Sequence, residues 1–339
     1  MVSFNIIVRS EKEDKRIPIA VASDIMFDIQ LLLTHIGEYL IAEEFGSLGR
    51  PAGKLTERFT LFIDPNSGGI SFRSSAGKGK SVLMDKAVAL LKDTMDKIGS
   101  GQGMYWIGDA FKDPRYRCIV LQDLIELSKH MNPERGYSLL AGPAGKEKRF
   151  DPLDIDKARE FMNKNARSSH GSIAGTLQKV SNKRNVPMYS FTTEDDHVRI
   201  TFRSKDPEDA ASGLLNRPVL VKGTLRYSTD GELLEITDST SVEPFDKKEF
   251  DHIITSERDI PLVRPLTADV RYDGSVWKLA CPDLGITSSS PEWDIAVTGF
   301  HDYFVFLYEN YSPKSDDELS EEEKEVKELL LLLTGKRGE

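Results

Sequence analysis

The amino-acid sequence predicts an α+β protein of several domains, with a small closed β-barrel in the middle of the chain. The first 145 residues alternate short β-like runs with two strong helices, and 339 residues exceed one average domain. Residues 166–245 run strand, strand, strand, short helix, strand, strand, and residues 264–312 run β-hairpin, strand, helix. We therefore divide the chain into an N-terminal α+β domain (1–145), a connecting helix (146–165), a barrel (166–245), a linker (246–263) and a C-terminal unit with an acidic terminal helix (264–339).

Composition and charge restrict the class of protein. Hydrophobic residues make up 39% and charged residues 29% of the chain, which is typical of a folded globular protein. The net charge of −10 argues against broad attraction to nucleic acid, which needs concentrated Lys and Arg. Cys118 and Cys281 fall in different predicted domains and indicate no disulfide framework, and no leader or run of 18 apolar residues is present. We therefore expect a cytoplasmic protein that contacts no membrane.

Two helices and a hairpin make up the predicted N-terminal domain, whose role the sequence does not reveal. The first helix is expected to begin near Ser23 and Asp24, which can cap it, and to end before Gly46. RFTLFID and GGISFRSS flank a Pro-Asn-Ser-Gly turn, which predicts an antiparallel hairpin. The second helix is predicted over 82–98, and a strand is predicted at MYWIG, 104–108.

The barrel region carries the main candidate binding surface. Period-two alternation in HVRITFRS directs Arg199 and Arg203 outward, and alternation in VLVKGTLRY does the same for Lys222 and Arg226. The region holds ten Lys and Arg against eleven Asp and Glu, so an ordinary solvated strand face is the competing interpretation.

The element order and the V-x-V-x-G run at 219–223 resemble the OB-fold superfamily over about 80 residues. The resemblance implies a basic groove that binds single strands, with stacking aromatic rings on strands two and three. By position, that face holds Arg199 and Arg203, with Tyr189 as the stacking ring.

The C-terminal unit contains a run from Trp277 to Ile286, then a Ser/Thr-rich cap and a helix, which resembles HicB-like antitoxin folds over about 45 residues. The resemblance implies a module that binds a protein partner. The usual acidic pair with Ala is reduced to Glu292, Trp293 and Asp294 before Ala296, and no DNA-binding helix-turn-helix follows.

The helix after Pro291 is apolar on more than one side. Its predicted core stripe is Trp293, Ala296, Val297, Phe300, Phe304, Leu307 and Tyr311, and further apolar positions are Ile295, Tyr303, Phe306 and Tyr308. Such a helix usually lies between two layers, so we expect packing within the chain, with contact to another protein as the alternative. The acidic segment from Ser315 onward predicts a terminal docking helix.

No motif predicts a reaction centre, and neither a cofactor nor a metal is expected. The nearest is RSSAGKGKS at 73–81, where Lys78, Lys80 and Ser81 precede a helix and could hold an anion. The first Gly of the phosphate-loop pattern is replaced by Ser74, and the six histidines lack the spacing of metal ligands.

The sequence therefore predicts a non-catalytic binding or regulatory protein that acts through contacts with a protein partner or with a second copy of itself. One alternative is a reader of single-stranded nucleic acid that uses Arg199, Arg203, Lys222 and Arg226. A second alternative is nucleotide hydrolysis at Lys80 and Ser81.

Overall fold

The computed structural model describes residues 4–12, 16–46, 55, 59–64, 71–74, 82–98, 103–131, 133–143, 145, 147–163, 167–181, 187–193, 197–228, 232–273 and 275–335. These residues form an α+β protein with eight α-helices, a closed five-stranded barrel and three open sheets, as the fold-class prediction requires. The chain divides into two compact units. Unit 1 is Met1–Leu40, Thr56–Gly171 and Leu225–Leu234, and unit 2 is Ile41–Leu55, Ser172–Thr224 and Glu235–Glu339.

Within the described residues, the N-terminal part of the chain contains five helices and two small antiparallel sheets. The elements are β1 (Phe4–Ser10), α1 (Ile19–Phe45), β2 (Leu61–Asp64), β3 (Ser71–Ser74), α2 (Val82–Ile98), α3 (Gly103–Ala110), α4 (Pro114–His130), β4 (Tyr137–Pro143), β5 (Lys148–Arg149) and α5 (Ile155–Phe161). One sheet has the order β1-β4-β5, and β2 pairs with β3. The predicted hairpin and the second helix are confirmed, whereas the predicted hairpin turn lies outside the described residues.

Two expectations for this part of the chain are wrong. The segment MYWIG is helical in α3, because a short apolar run fits both the helical and the strand period. Helix α1 begins at Ile19, so Ser23 and Asp24 lie inside it and do not cap it. The carbonyl oxygen of Pro18 accepts the Ala22 N–H at 3.1 Å, and the fixed φ of proline suits the start of a helix.

Helix α1 is 27 residues long, and by length and composition alone it could cross a membrane. No other helix in the described part of the chain could. A core helix of a soluble protein passes the same test. Because one side of α1 is fully buried, at Ile25, Ile29, Leu32, Leu33 and Ile36, the structure is compatible with a soluble protein.

The barrel is built from β6 (Ser168–Ser181), β7 (Pro187–Thr192), β8 (His197–Phe202), α6 (Lys205–Gly213), β9 (Pro218–Tyr227) and β10 (Leu233–Pro244). Its strands close in the order β10-β8-β7-β6-β9, and β8 runs parallel to β10. Two glycines permit close strand approach, since a Cβ on Gly175 would lie 2.5 Å from the Thr192 oxygen and one on Gly223 would lie 3.0 Å from the Thr237 oxygen. The predicted five-stranded barrel is confirmed.

The C-terminal part is a four-stranded antiparallel sheet with two helices. Its elements are β11 (Lys247–Ile254), β12 (Asp259–Tyr272), β13 (Trp277–Cys281), β14 (Ile286–Ser290), α7 (Trp293–Tyr311) and α8 (Glu321–Thr334). The predicted linker at 246–263 is therefore wrong, because β11 and the start of β12 occupy it. The register between β11 and β12 shifts between Phe250 and His252. This bulge interrupts the alternation of buried and exposed residues that identifies a strand in the sequence.

Aromatic rings form the core of this sheet and helix. Trp277 and Trp293 contact each other edge to face with centroids 5.2 Å apart, and the Trp293 Nε1–H donates to the Phe45 carbonyl at 3.2 Å. The last residues of α1 belong to unit 2, where Glu44 Oε1 accepts the N–H groups of Asp251 and His252 at 2.7 and 2.8 Å.

Helix α7 buries most of its predicted stripe. The buried residues are Trp293, Ala296, Val297, Phe300, Phe304 and Leu307. Tyr308 is buried as well, whereas Tyr311 is half-buried. Ile295, Tyr303 and Phe306 stay exposed, so the expectation that the whole helix packs within the chain is wrong for these three side chains.

Candidate functional site

The outward-facing cations predicted on the barrel are exposed, and the backbones of two of them form hydrogen bonds with the same residue. Arg203 N–H donates to the Ser239 carbonyl at 3.0 Å, and Ser239 Oγ donates to the Lys222 carbonyl at 3.3 Å. Arg203 and Lys222 therefore flank the same residue of β10. Arg199 lies further along β8, where its register partner on β10 is Glu235. Arg226 is exposed but belongs to unit 1.

Tyr189 does not fit the stacking role that its position predicted. Its side chain is buried, and its hydroxyl shares a hydrogen bond of 2.7 Å with Ser212 Oγ of α6. Its ring meets Phe202 edge to face with centroids 5.1 Å apart. Tyr189 is only 4% exposed, so its ring cannot stack on a base, and the prediction of a stacking Tyr189 is wrong.

The candidate anion site at Lys78, Lys80 and Ser81 lies outside the described residues. Nucleotide hydrolysis at that loop stays a prediction. Within the described part of the chain, no group of three or more His, Cys, Asp or Glu side chains could hold a metal ion.

A cleft of about 500 Å³ opens in unit 2 where the start of β9, the β10–β11 connection and the end of β12 meet. It is lined by Arg217, Pro218, Pro244, Phe245, Asp246, Lys247, Asp269, Val270, Arg271 and Tyr272. Two backbone hydrogen bonds join its walls: Phe245 N–H donates to Pro218 O at 3.0 Å, and Val270 N–H donates to Asp246 O at 2.8 Å. These bonds hold β9 and β12 to the β10–β11 connection around one opening.

The cleft carries more cations than carboxylates. Arg217, Lys247 and Arg271 are exposed and form no ion pair with any described residue, and the two carboxylates are those of Asp246 and Asp269. Their formal charges leave a net charge of +1.

Beside the cleft, the exposed Lys278 of β13 lies directly opposite Arg271. Like charges directly opposite each other destabilise a sheet. The pair therefore places two exposed cations side by side on β12 and β13.

Two aromatic rings line the cleft and are held from behind by the core of unit 2. Phe245 lies 5.1 Å from Trp293, and Tyr272 lies 4.5 Å from Trp277, measured between ring centroids. Both lining rings are only partly buried. A planar ligand can therefore stack on a ring whose orientation is already fixed, which lowers the entropy cost of binding.

Two His–Asp pairs in unit 1 were missed by reasoning from the sequence. His35 Nδ1 lies 2.6 Å from Asp123 Oδ2, and His130 Nε2 lies 3.3 Å from Asp28 Oδ2, so both pairs join α1 to α4. Burial is the main cause that raises the pKa of Asp28 to about 6, and the His130 charge opposes it. The spacing in the sequence could have indicated these pairs. Asp and His are seven residues apart on both α1 and α4, so each Asp shares a helix face with a His.

The cleft is the strongest candidate site, because its cations, rings and carboxylates together suit a ligand that carries phosphate, a planar ring and amino groups. Comparison with known proteins gave no match: no protein-family model, curated protein or solved structure matches this chain.

Proposed function

We propose that this chain is a non-catalytic cytoplasmic binding protein whose cleft in unit 2 holds single-stranded nucleic acid. The observation that carries the proposal is the convergence of Arg217, Lys247 and Arg271 with the rings of Phe245 and Tyr272 in one open cleft. Cations neutralise phosphates, and aromatic rings stack on bases of any sequence. The cleft carboxylates can accept hydrogen bonds from base amino groups.

The barrel supports an OB-like assignment and a longer binding path. Its element order and its closed five-stranded Greek-key arrangement agree with that superfamily. Arg203 and Lys222 can extend the phosphate path away from the cleft. Lys222 is five residues beyond Arg217 along β9, which corresponds to roughly 17 Å of extended strand. A ligand of several nucleotides is needed to span this distance.

Fluorescence anisotropy of labelled single-stranded DNA and RNA tests the proposal. We expect binding that weakens between about 50 and 200 mM salt, because phosphate contacts release counterions. The double variant Arg271→Glu/Lys278→Glu is expected to lower the affinity about tenfold or more and to reduce its salt dependence, since two phosphate-binding cations become carboxylates. The matched control is Lys86→Glu/Lys97→Glu, which makes the same charge change on exposed positions of α2 in unit 1.

The outcomes separate the two surfaces of unit 2. Loss of binding on Arg199→Glu/Arg203→Glu, with the cleft variant unaffected, would transfer the site to the barrel face predicted from the sequence. Absent or salt-insensitive binding would contradict nucleic-acid recognition altogether.

A second role, contact with a protein partner, is favoured by the exposed apolar side chains of α7. The antiparallel sheet followed by a helix supports the HicB-like assignment, which implies the same role. Cys118 and Cys281 are both free and buried, which supports the proposed cytoplasmic location.

A further inference from the structure

One face of α7 is apolar and exposed. Ile295, Tyr303 and Phe306 are 48, 42 and 54% exposed, and their spacing of eight and three residues puts them on one side of the helix. The rings of Tyr303 and Phe306 have centroids 5.9 Å apart. They form a continuous patch on an otherwise well-packed helix.

Helix α7 and the neighbouring helix α8, with the turn between them, account for most of the net negative charge of the protein. Residues 293–334 contain eleven Asp and Glu, three Lys and no Arg, a net charge of −8 within a chain of −10. Both lysines of α8 are already paired, Lys324 with Glu321 at 2.6 Å and Lys327 with Asp316 at 2.7 Å. Glu322, Glu325 and Glu328 are exposed.

A carboxylate lies within the apolar patch itself. Asp302 precedes Tyr303 and forms no ion pair with a described residue. Asp302 is exposed, and desolvation by the neighbouring side chains raises its pKa above the usual range. A cation brought next to this carboxylate would recover the lost solvation, so the patch is suited to a positively charged partner.

We propose that the exposed face of α7, formed by Ile295, Asp302, Tyr303 and Phe306, docks a basic amphipathic helix of another protein. The apolar stripe of that helix covers the two rings, and its Lys or Arg side chains meet Asp302 and the acidic residues of α8. Charge decides between occupants: a second copy of a chain with net charge −10 is repelled, whereas a basic helix is attracted.

The inference rests on the proposed protein-binding role and names the chemistry of the partner. It is separate from nucleic-acid binding by the cleft, because none of Ile295, Asp302, Tyr303 and Phe306 lines the cleft.

Synthetic helices of roughly 18 residues, or five turns, test the proposal by calorimetry with the full chain. A Leu/Lys peptide with all leucines on one face is the probe, and three peptides are compared with it: a scrambled Leu/Lys peptide, a Leu/Gln peptide and a Leu/Glu peptide. We expect the patterned Leu/Lys peptide to bind at least about tenfold more tightly than the others, since apolar burial and charge act together only there.

Variants on the surface locate the contact. Tyr303→Ser/Phe306→Ser is expected to weaken binding of the Leu/Lys peptide about tenfold, whereas Asp302→Asn is expected to weaken that peptide but not Leu/Gln. The matched control Ile19→Ser/Phe27→Ser removes exposed apolar side chains from α1 and should change nothing. Equal binding of the scrambled peptide, or no effect of the α7 variants, would overturn the proposal.

Three further outcomes show whether a negative result contradicts this proposal alone or also the proposed protein-binding role. Preference for Leu/Gln at the same face would refute a basic partner while keeping protein binding. Failure of every peptide to bind would contradict both. A wild-type dimer that Phe306→Ser converts to a monomer would assign the face to a second copy and refute this inference.

Discussion

Burial controls the protonation of individual side chains in this protein, and Asp28 is the clearest example. Its pKa is raised to about 6 mainly by burial, with further increases from Glu126 and Asp123, while His130 lowers it. The folded pKa exceeds the reference value of 3.8, so the carboxyl group stabilises the fold below pH 3.8. This contribution is lost as the pH rises through 6. Ionised Asp28 therefore costs the folded state up to about 3 kcal/mol at neutral pH.

The variant Asp28→Asn is expected to remove this cost. Its free energy of unfolding should exceed that of the wild type by about 1–3 kcal/mol near pH 7.5, because no charge is buried, and by roughly half as much near pH 5. Urea unfolding at both pH values measures the difference. Asp93→Asn, at an exposed position of α2 in unit 1, is the matched control. An equal response of both variants to pH would show that burial of Asp28 is not the cause.

At the scale of elements, the pairing of β12 with β13 predicts a conflict between stability and binding. Lys278→Thr removes the like-charge contact with Arg271 and adds a β-branched residue, so we expect a gain of about 0.2–1 kcal/mol in the free energy of unfolding. The same variant should bind single-stranded oligonucleotides more weakly, because one cation is lost.

Lys247→Thr is the matched control for this prediction. Lys247 lies opposite Asp269, so its loss should reduce stability slightly while also weakening oligonucleotide binding. Urea unfolding and fluorescence anisotropy of both variants measure the two effects. A loss of stability in Lys278→Thr would mean that the Arg271–Lys278 contact is not repulsive.

The helices and strands could be predicted wherever apolar residues keep one helical or strand spacing without interruption. Helix α2 and the barrel strands follow from such periods, and the predicted bounds of α2, 82–98, agree with the structure. Strand β11 could not be found, because its bulge near Asp251 interrupts the alternation and charged residues fill its exposed face. The start of β12 contains Pro261 and Pro265, which weaken any strand prediction.

The candidate site was less predictable than the elements, because it is assembled across them. Alternation correctly directed Arg203 and Lys222 outward, but it does not report a helix that covers a strand, as α6 does at Tyr189. The cleft joins Arg217, Lys247 and Arg271 from three strands. The cleft cannot be predicted as long as residues 246–263 are interpreted as a linker without strands.

At the scale of the whole molecule, the two compact units are expected to respond to acid in opposite directions. In unit 2, His301 is fully buried among aromatic rings, with Phe45 at 5.0 Å and Phe250 at 4.7 Å between centroids. Its Nδ1 accepts the Ile254 N–H at 3.0 Å. Burial lowers the pKa of His301 to about 3, so the imidazole stays neutral.

Because the folded pKa of His301 is below the reference value of 6.5, unit 2 has its full stability above that pH and loses it as the pH falls toward 3. The loss amounts to about 2 kcal/mol at pH 5. Over the same interval, unit 1 gains about 1 kcal/mol from Asp28, whose folded pKa is raised.

Tryptophan fluorescence can follow unit 2 alone. The chain has three tryptophans, and Trp106→Phe leaves Trp277 and Trp293, both buried in unit 2. We expect the urea midpoint reported by these two residues to decrease as the pH is lowered from about 7 to 5. The reason is that His301 binds a proton in the unfolded chain but stays neutral in the folded protein. His301→Asn should be less stable at pH 7, since ring contacts are lost, yet its midpoint should hardly change with pH. A wild-type midpoint that rises on acidification, or an equal slope in His301→Asn, would exclude His301 as the acid-sensitive group of unit 2.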